Sequence, residues 1–278
     1  MQKFAALIAY QGTDFCGWQK QRGSAADGAP SLQETFEQAL GTISQEKVSV
    51  VGSGRTDSGV HAVGQVAHFI LKRREWNPEI LRNGLNSQLP PAIRVQAVRA
   101  VPIEFHAQRS AVSKRYSYYF QQGPCALPHL EPFSWWIRRP LDLAAMRTAL
   151  ANLHGQHDFR PFQASGAKPM RTTVREILEA EIVREPIALP QLAATVAGSS
   201  DLCLVRMRLV GTGFLKQMVR GIAGTILQVG EGRRSPDCTK EILISGDRAL
   251  VGPTAPARAL WLERVWYPEL DFESPASP

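Results

Sequence analysis

Residues 48–71 read VSVVGSGRTDSGVHAVGQVAHFIL, in which two apolar stretches enclose a loop with three glycines in eight residues. The apolar stretches, Val48–Val51 and Val63–Leu71, are rich in β-branched residues and predict two strands. Glycine frees the backbone for positive φ angles or for close approach to a ligand. The sequence therefore predicts a tight loop between two strands, and this loop carries Arg55 and Asp57.

Strand and helix patterns alternate on both sides of this loop. Ser31 and Glu34 form a capping box for a helix predicted from Leu32 to Ser44. Asn77-Pro78 predicts the start of a second helix that runs to Ser87. Further strands are predicted at Phe4–Tyr10 and Ile93–Ala97.

The second half of the chain repeats this rhythm. Strands are predicted at residues 115–120, 174–183, 202–210 and 260–267, and helices at residues 142–153, 214–229 and from 235 onward. The uncharged stretch 187–200 predicts a loop. This order favours an α+β fold with mostly antiparallel sheets and helices on one face over a doubly wound parallel fold. The predicted domains are residues 1–106 and 107–278.

The composition is that of a globular chain. Its 278 residues are 44% hydrophobic and have a formal net charge of +7, which excludes a disordered chain. The chain also lacks the glycine at every third position of a collagen-like repeat, and its four cysteines are too few for a disulfide scaffold. The four cysteines form no C-x-x-C or C-x-x-H pair, so we expect a reducing compartment and no local metal site. No apolar run is long enough to span a bilayer, which predicts a soluble, cytoplasmic protein without membrane contact.

The positive charge is concentrated in one part of the chain. Residues 51–120 contain ten Lys or Arg side chains and four acidic ones. Such a surplus is typical of phosphate binding, and equally of a solvated surface. The run Lys72-Arg73-Arg74 is a candidate contact for phosphate groups.

Asp57 is the candidate catalytic residue of the glycine loop. The loop lacks the Gly-Lys-Ser/Thr of a Walker motif, and Asp57 stands where a dinucleotide fingerprint has its third glycine. Arg55 lies two residues before it, and a neighbouring guanidinium keeps a carboxylate ionised, as a nucleophile requires. By itself the pattern describes a turn in which Asp57 pairs with Arg55 better than it describes a nucleophile.

The resemblance of this loop to a known family favours the catalytic interpretation of Asp57 over the turn. Residues 54–69, GRTDSGVHAVGQVAHF, closely resemble the signature of the tRNA pseudouridine synthase A family. Further stretches similar to the family follow in its order: GTDFCGWQ at 12–19, FHA at 105–107, KRY at 114–116, HDF at 157–159, FLKQMVRG at 214–221 and TAPA at 254–257. The resemblance thus extends over nearly the whole chain.

The resemblance implies a fold and an activity. The fold would consist of two similar ferredoxin- or RRM-like halves that meet at a basic central cleft, and the protein would be a homodimer. The activity would be the isomerisation of uridine to pseudouridine in the anticodon stem-loop of tRNA, at positions 38–40, without a metal or a cofactor.

The resemblance also implies roles for individual residues. Asp57 would be the nucleophile and Arg55 its partner, Tyr116 would stack on the uracil, Arg220 would contact Asp57 or a phosphate, and Leu262 would wall the pocket. Candidate contacts to the RNA backbone are Lys72, Arg73, Arg74, Lys114, Arg115 and Lys216.

The chemistry agrees with these roles, although each residue has an ordinary structural alternative. A base in a stem is reached by flipping it out onto a replacement stacking surface, which Tyr116 can supply, but an aromatic residue on a strand also suits a core. Lys216 and Arg220 are spaced i, i+4 on a predicted helix, where a solvated pair is the default, but their position after GTGF at 211–214 favours a pair that faces the cleft. Arg206 and Arg208 share one strand face and suit either phosphate or solvent. His61, His68 and His106 are predicted to be structural hydrogen-bonding groups.

The chain departs from the family pattern next to FHA. Gln108 stands where the family commonly has arginine, and Arg109 follows one position later, on the opposite face if the backbone is extended. Two rival functions are kept open. One is a passive RNA-binding module in which Asp57 only shapes the loop, and the other is a glycoside hydrolase, for which no second carboxylate is evident near Asp57.

Overall fold

The computed structural model describes residues 1–20, 28–166, 171–187 and 202–272. The chain divides into two compact units. Unit 1 comprises Met1–Lys114 and Trp261–Pro278, and unit 2 comprises Arg115–Leu260. The domains expected at 1–106 and 107–278 stay a prediction.

Unit 1 is a sheet with two helices. Its strands are β1 (Gln2–Tyr10), β2 (Val51–Gly52), β3 (His61–Leu71), β4 (Ile93–Val101) and most of β10 (Leu260–Trp266), and its helices are α1 (Leu32–Ser44) and α2 (Pro78–Gln88). The strand order is β4-β1-β3-β10, with β2 paired to β3. β1 is antiparallel to both neighbours, whereas β10 is parallel to β3.

The helices of unit 1 begin where the sequence predicts. The Ser31 side chain accepts a hydrogen bond from the backbone N–H of Glu34 at the start of α1. Asn77 caps α2 in the same way, and Pro78 occupies the first helical position. Phe36 of α1 packs against Phe69 of β3, with ring centroids 6.1 Å apart, so this face of the sheet is part of the core.

Unit 2 is also a mixed unit. Its strands are β5 (Ser113–Gln122, which begins in unit 1), β6 (Trp135–Ile137), β7 (Gly155–Asp158), β8 (Val174–Glu185) and β9 (Cys203–Gly211), and its helices are α3 (Leu143–Ala151), α4 (Met218–Gly230) and α5 (Cys238–Ser245). The strand order is β5-β9-β8-β7, and β6 pairs in parallel with β5. The predicted mixed class with mostly antiparallel pairing is therefore confirmed.

Two predicted elements are shorter in the structure, for identifiable reasons. Of the strand predicted at Val48–Val51, only Val51 pairs with β3, because side chains of α1 take up the backbone groups of Val50. Glu37 accepts from the Val50 N–H at 3.0 Å, and Gln33 donates to the Val50 carbonyl at 2.9 Å.

The second difference lies before α4. The helix predicted from Phe214 begins at Met218, because Gln217 has a left-handed backbone with φ 59°. The helical pairing predicted for Lys216 and Arg220 is therefore wrong, since Lys216 precedes the helix and its carbonyl accepts from Ala164 N–H at 2.9 Å.

Other boundaries shift by a few residues. The helix capped by Asp142 ends at Ala151, and the helix expected from Ser235 begins at Cys238. The short strands β6 and β7 have no counterpart in the prediction. The loop predicted at 187–200 lies outside the described residues apart from Ile187. No helix within the described ranges is long and apolar enough to cross a membrane.

Candidate active site

The glycine loop lies between β2 and β3 and is anchored at both ends. The Ser53 N–H donates to the Val66 carbonyl at 2.7 Å, which continues the ladder beyond β2. The Val60 N–H donates to the Asp57 carbonyl at 3.2 Å, and Gly59 adopts φ 77° between them. This turn needs glycine because a positive φ strains residues that have a Cβ.

A buried network of polar side chains lies beneath the loop. Ser53 Oγ donates to Gln65 Oε1 at 2.7 Å, and Gln65 Nε2 donates to the Gly54 carbonyl at 3.0 Å. The Tyr10 hydroxyl lies 2.8 Å from Thr56 Oγ1 and accepts from Gln65 Nε2 at 3.4 Å. Burial raises the pKa of Tyr10 to about 12, so the hydroxyl stays neutral. These hydrogen bonds join Ser53, Gly54 and Thr56 of the loop to Tyr10 and Gln65 of the sheet, so the network fixes the loop backbone.

The segment of residues 12–18 packs directly on the loop. This close contact is the reason that the segment has glycine at positions 12 and 17. The Gly12 N–H donates to His61 Nδ1 at 3.1 Å, and the Trp18 N–H donates to the Thr56 carbonyl at 3.0 Å. A Cβ at Gly12 would overlap the Val60 carbonyl oxygen. Gly17 has φ 105°, and a Cβ there would lie 2.8 Å from the Thr56 carbonyl.

The loop presents its two charged residues differently. Asp57 is half-buried, whereas Arg55 is exposed. Asp57 follows Thr56, whose side chain is buried and bonded to Tyr10, so the backbone on one side of the carboxylate is fixed. A carboxylate that is held by its backbone and open on one side can act on a bound reactant.

Two more predicted site residues lie in unit 1. Lys114 is half-buried, and its Nζ donates to the Ser53 carbonyl at 2.6 Å. Leu262 is fully buried on β10, where it is the partner of Ala62 on the strand that leaves the loop. Beside it, the Trp261 ring stacks on His61 with centroids 4.5 Å apart.

Tyr116 and Arg220 lie in unit 2. The Tyr116 ring is 8% exposed and meets Phe214 edge-on, with centroids 5.0 Å apart. Arg220 is half-buried in the first turn of α4, and its Nε donates to the Ala255 carbonyl at 2.7 Å. The Ala255 N–H donates to the Arg220 carbonyl at 3.2 Å in return. The TAPA stretch therefore orients the Arg220 guanidinium through its backbone.

The remaining basic candidates differ in exposure. Lys72, Arg73, Arg74 and Lys216 are exposed, and Arg115 is half-buried. The Arg74 guanidinium lies 3.8 Å from the centre of the Trp76 ring, which is the distance of a cation–π contact.

Several polar residues have structural partners. Arg206 pairs with Glu185 at 2.9 Å, and Arg208 pairs with Glu181 at 3.2 Å. The sequence predicts that Arg206 and Arg208 bind phosphate or face solvent. In the structure both instead form ion pairs between β8 and β9. Gln108 is exposed and donates its backbone N–H to His106 Nδ1 at 3.2 Å.

The three candidate histidines act as hydrogen-bond acceptors for backbone N–H groups. Arg109, like Gln108, is exposed and donates its backbone N–H to His106 Nδ1, at 3.3 Å. Within the part of the chain that the structure describes, no group of three potential metal ligands is present.

The structure therefore places Arg55, Asp57, Lys114 and Leu262 in unit 1 and Tyr116 and Arg220 in unit 2. Sequence reasoning missed the network residues Tyr10 and Gln65. A signal for Gln65 existed, because it is a lone amide among apolar residues of the same strand face.

Comparisons with known proteins cover almost the entire chain. A family model described as tRNA pseudouridine synthase matches residues 6–108 and 149–268. The chain is 38% identical over 272 residues to a protein of Bdellovibrio bacteriovorus, with 96% of this chain and 95% of that protein covered. It is 40% identical to a protein of Syntrophotalea carbinolica (95% and 96% covered) and 38% identical to one of Cereibacter sphaeroides (98% and 100% covered). All three relatives are named tRNA pseudouridine synthase A.

Proposed function

Because the chain belongs to the tRNA pseudouridine synthase family, we propose that it isomerises uridine to pseudouridine in the anticodon stem-loop of tRNA. The target positions are 38–40, and Asp57 is the nucleophile. The observation that carries the proposal is the half-buried Asp57 carboxylate on a loop whose backbone is fixed by Tyr10, Ser53, Thr56 and Gln65.

The reaction needs one group that forms a bond and then releases it. The glycosidic bond must move from N1 to C5 of the same uracil: C5 loses its hydrogen as a proton and N1 gains one, so overall no atom is gained or lost. A carboxylate oxygen of Asp57 can attack C1′ of the ribose and release uracil, or it can add to C6 of the ring. Both routes need an ionised carboxylate in a fixed position, and both end with its regeneration.

The other site residues hold the reactants in this proposal. Tyr116 stacks on the flipped uracil, which replaces the neighbouring bases that the nucleotide loses. Arg55 pairs with Asp57 and helps to hold the base outside the stem, Arg220 contacts Asp57 or a phosphate, and Leu262 walls the pocket. The orientation of Arg220 by the Ala255 carbonyl supports a positioned guanidinium rather than a mobile one.

Phosphate contacts come from the exposed basic residues of the candidate set. These are Lys72, Arg73, Arg74 and Lys216, together with the half-buried Arg115. Lys114 differs from them because its ammonium group donates to the Ser53 carbonyl of the loop. Its position supports a structural task in addition to the RNA contact proposed for it.

The proposal includes three further expectations of the family. The two halves are alike and form a basic cleft for the RNA, the protein is a homodimer, and a tRNA substrate locates the activity in the cytoplasm. Sedimentation of the purified protein measures the dimer directly, since a monomer mass would contradict it.

The decisive experiment replaces Asp57. Purified wild-type protein and the Asp57→Ala variant are incubated with an unmodified tRNA transcript, and pseudouridine is mapped by position. We expect near-complete loss of product in the variant, because no other group replaces the nucleophile. Binding of tRNA should persist, because a carboxylate contributes no phosphate contact.

The matched control is Asp237→Ala, since Asp237 is exposed and its side chain makes no capping hydrogen bond. It should form product at the wild-type rate. Comparable product from Asp57→Ala would overturn the catalytic assignment. Binding without product even in the wild type would favour the passive RNA-binding module.

A further inference from the structure

Unit 2 contains a groove that none of the proposed catalytic residues lines. It lies between β6 and the C-terminal half of α4 and encloses about 380 Å³. Its lining includes Trp135, Trp136, Arg138, Arg139, Gln228 and Arg233. This volume lies within the range of pockets that bind small ligands.

One wall of the groove is aromatic and held in place. The Trp136 Nε1–H donates to the Gly123 carbonyl at 3.0 Å, which fixes the plane of the indole. Trp135 packs against Phe120 and Tyr118, with centroids 6.2 and 6.5 Å apart. Both tryptophans are nevertheless half-exposed, so part of each ring is available to a ligand.

The rim of the groove is positively charged. Three guanidinium groups and one carboxylate line it. The carboxylate, Glu231, pairs with Arg233 at 3.1 Å, whereas Arg138 and Arg139 are exposed next to the aromatic wall. The surplus charge therefore favours an anion such as a phosphate group.

The floor contains an acceptor without a donor. Gln228 Oε1 is buried, and no described residue donates a hydrogen bond to it. Buried polar atoms in proteins almost always have a partner. Gln228 as a residue is half-exposed in the groove, so a turn of its flexible side chain brings this oxygen to the groove surface, where a ligand N–H supplies the missing donor.

We propose that this groove binds one unpaired nucleotide of the RNA substrate. The base stacks against the Trp135–Trp136 wall and donates an N–H of its pairing edge to Gln228 Oε1, and its phosphate lies on Arg138 and Arg139. An unpaired base offers a free face and a free edge together, whereas a duplex hides both. This inference rests on the proposed function, because it takes the substrate to be RNA.

The groove and Arg220 are within reach of the same RNA. Gln228 follows Arg220 by eight residues on α4, which is about 12 Å along a helix axis. Three or four stacked nucleotides of one strand span about this distance. The groove therefore contacts a nucleotide near the target uridine rather than the target itself.

The first arm of the test uses Gln228→Leu and an unmodified tRNA transcript. Leucine removes the acceptor but keeps the volume, so the thermal midpoint of the free protein should stay the same or rise. The Kd for tRNA should rise about fivefold, the effect of losing one neutral hydrogen bond. A merely structural Gln228 would leave this Kd unchanged.

The second arm uses Arg138→Ala/Arg139→Ala and a salt titration of tRNA binding. Loss of two contacts to single-stranded phosphates should make the slope of log K against log salt shallower by about 1.4. The matched control, Arg82→Ala/Arg184→Ala, removes the same charge outside the groove and should keep the wild-type slope. Both control side chains are at least partly exposed.

The outcomes separate this inference from the proposed function. An unchanged Kd for Gln228→Leu, or an equal change of slope in the control pair, overturns the nucleotide groove. If Gln228→Leu fails to fold, the arginine arm decides alone. A wild-type protein that binds tRNA without forming pseudouridine overturns the isomerase and leaves the groove's result standing.

Discussion

The glycine loop of unit 1 and the start of α4 in unit 2 hold their charged residues in opposite ways. The loop that carries Asp57 rests on several separate side chains, such as those of Tyr10, Gln65 and Lys114. Arg220 is instead held by the backbone of one neighbouring stretch, through the Ala255 carbonyl and N–H. Side-chain support can be removed one group at a time, whereas backbone support tolerates most substitutions.

This difference predicts where the molecule is sensitive. Substitutions beneath the loop should lower stability and activity together, because the same hydrogen bonds hold the fold and position Asp57. Substitutions around Ala255 should have small effects unless they move its backbone.

The largest effect is expected from Gly12→Ala. The new Cβ would overlap the Val60 carbonyl, and both groups are backbone that cannot turn aside. We expect a loss of about 4 kcal/mol in the free energy of unfolding, measured by urea denaturation. The control is Gly84→Ala within α2, where the new Cβ would lie 3.7 Å from the Ile43 side chain, an ordinary contact distance. This substitution should stabilise the protein by up to about 1 kcal/mol. A neutral Gly12→Ala would show that the loop does not depend on this close approach.

The next effect is a loss of stability in acid. His68 is buried on β3 and accepts a hydrogen bond from Ala107 N–H, and burial together with the positive charge of Lys3 lowers its pKa to about 4. Between pH 6.5 and pH 4 the unfolded chain therefore binds more protons than the folded one, so stability falls as the pH falls through this window. The free energy of unfolding can fall by at most about 3 kcal/mol through the protonation of this one side chain.

Urea denaturation at pH 7 and pH 4.5 measures this effect. His68→Asn should flatten the pH dependence, because asparagine can accept the same hydrogen bond without titrating in this range. His129→Asn, which replaces an exposed histidine, is the matched control. A wild-type stability that is equal at both pH values would contradict the role of His68.

A smaller effect is expected from Lys114→Met. The variant keeps the aliphatic stem but removes the charged donor to the Ser53 carbonyl, which should cost about 2 kcal/mol of stability. Single-turnover formation of pseudouridine should slow by about tenfold, because the loop loses a support. Lys72→Met is the comparison, because Lys72 is exposed; it should weaken tRNA binding without changing stability. Equal stabilities of the two variants would argue against a structural task for Lys114.

The smallest effects on stability are expected from removing the hydroxyl groups of Tyr10 and Tyr118. Tyr10→Phe removes a hydroxyl that bonds Thr56 and Gln65, whereas Tyr118→Phe removes one donor to the Pro256 carbonyl. We expect losses of about 1.5 and about 1 kcal/mol in unfolding experiments. Only Tyr10→Phe should also slow product formation. If Tyr118→Phe slows it equally, the contrast between the two regions fails.

Sequence patterns predict the elements that depend on local interactions. The caps Ser31 and Asn77 and the amphipathic helices that follow them are confirmed to within a residue, because the capping side chain and the helix are neighbours in sequence. The short β2 and the late start of α4 escape prediction because Glu37 captures the Val50 N–H and Gln217 adopts a left-handed backbone. No local pattern signals either event.

The same limit applies to the candidate site. The family resemblance names Asp57 and its neighbours, whose positions in the reaction stay a prediction. The residues that fix the loop come from β1, β3 and the start of β5, and they meet only after the chain has folded. Their partnership depends on tertiary distance, which a single sequence does not contain.

The stacking of Trp261 on His61 has a consequence for how this protein is made. β3 finds one of its neighbours in β1, which is synthesised before it, but its parallel partner β10 is synthesised only after nearly all of unit 2. Contacts so far apart along the chain form slowly, because a long segment must first be brought together. During synthesis, the start of β3 therefore lacks this strand partner, and a nascent chain that stops before residue 261 would have its carboxylate loop without β10 beside it.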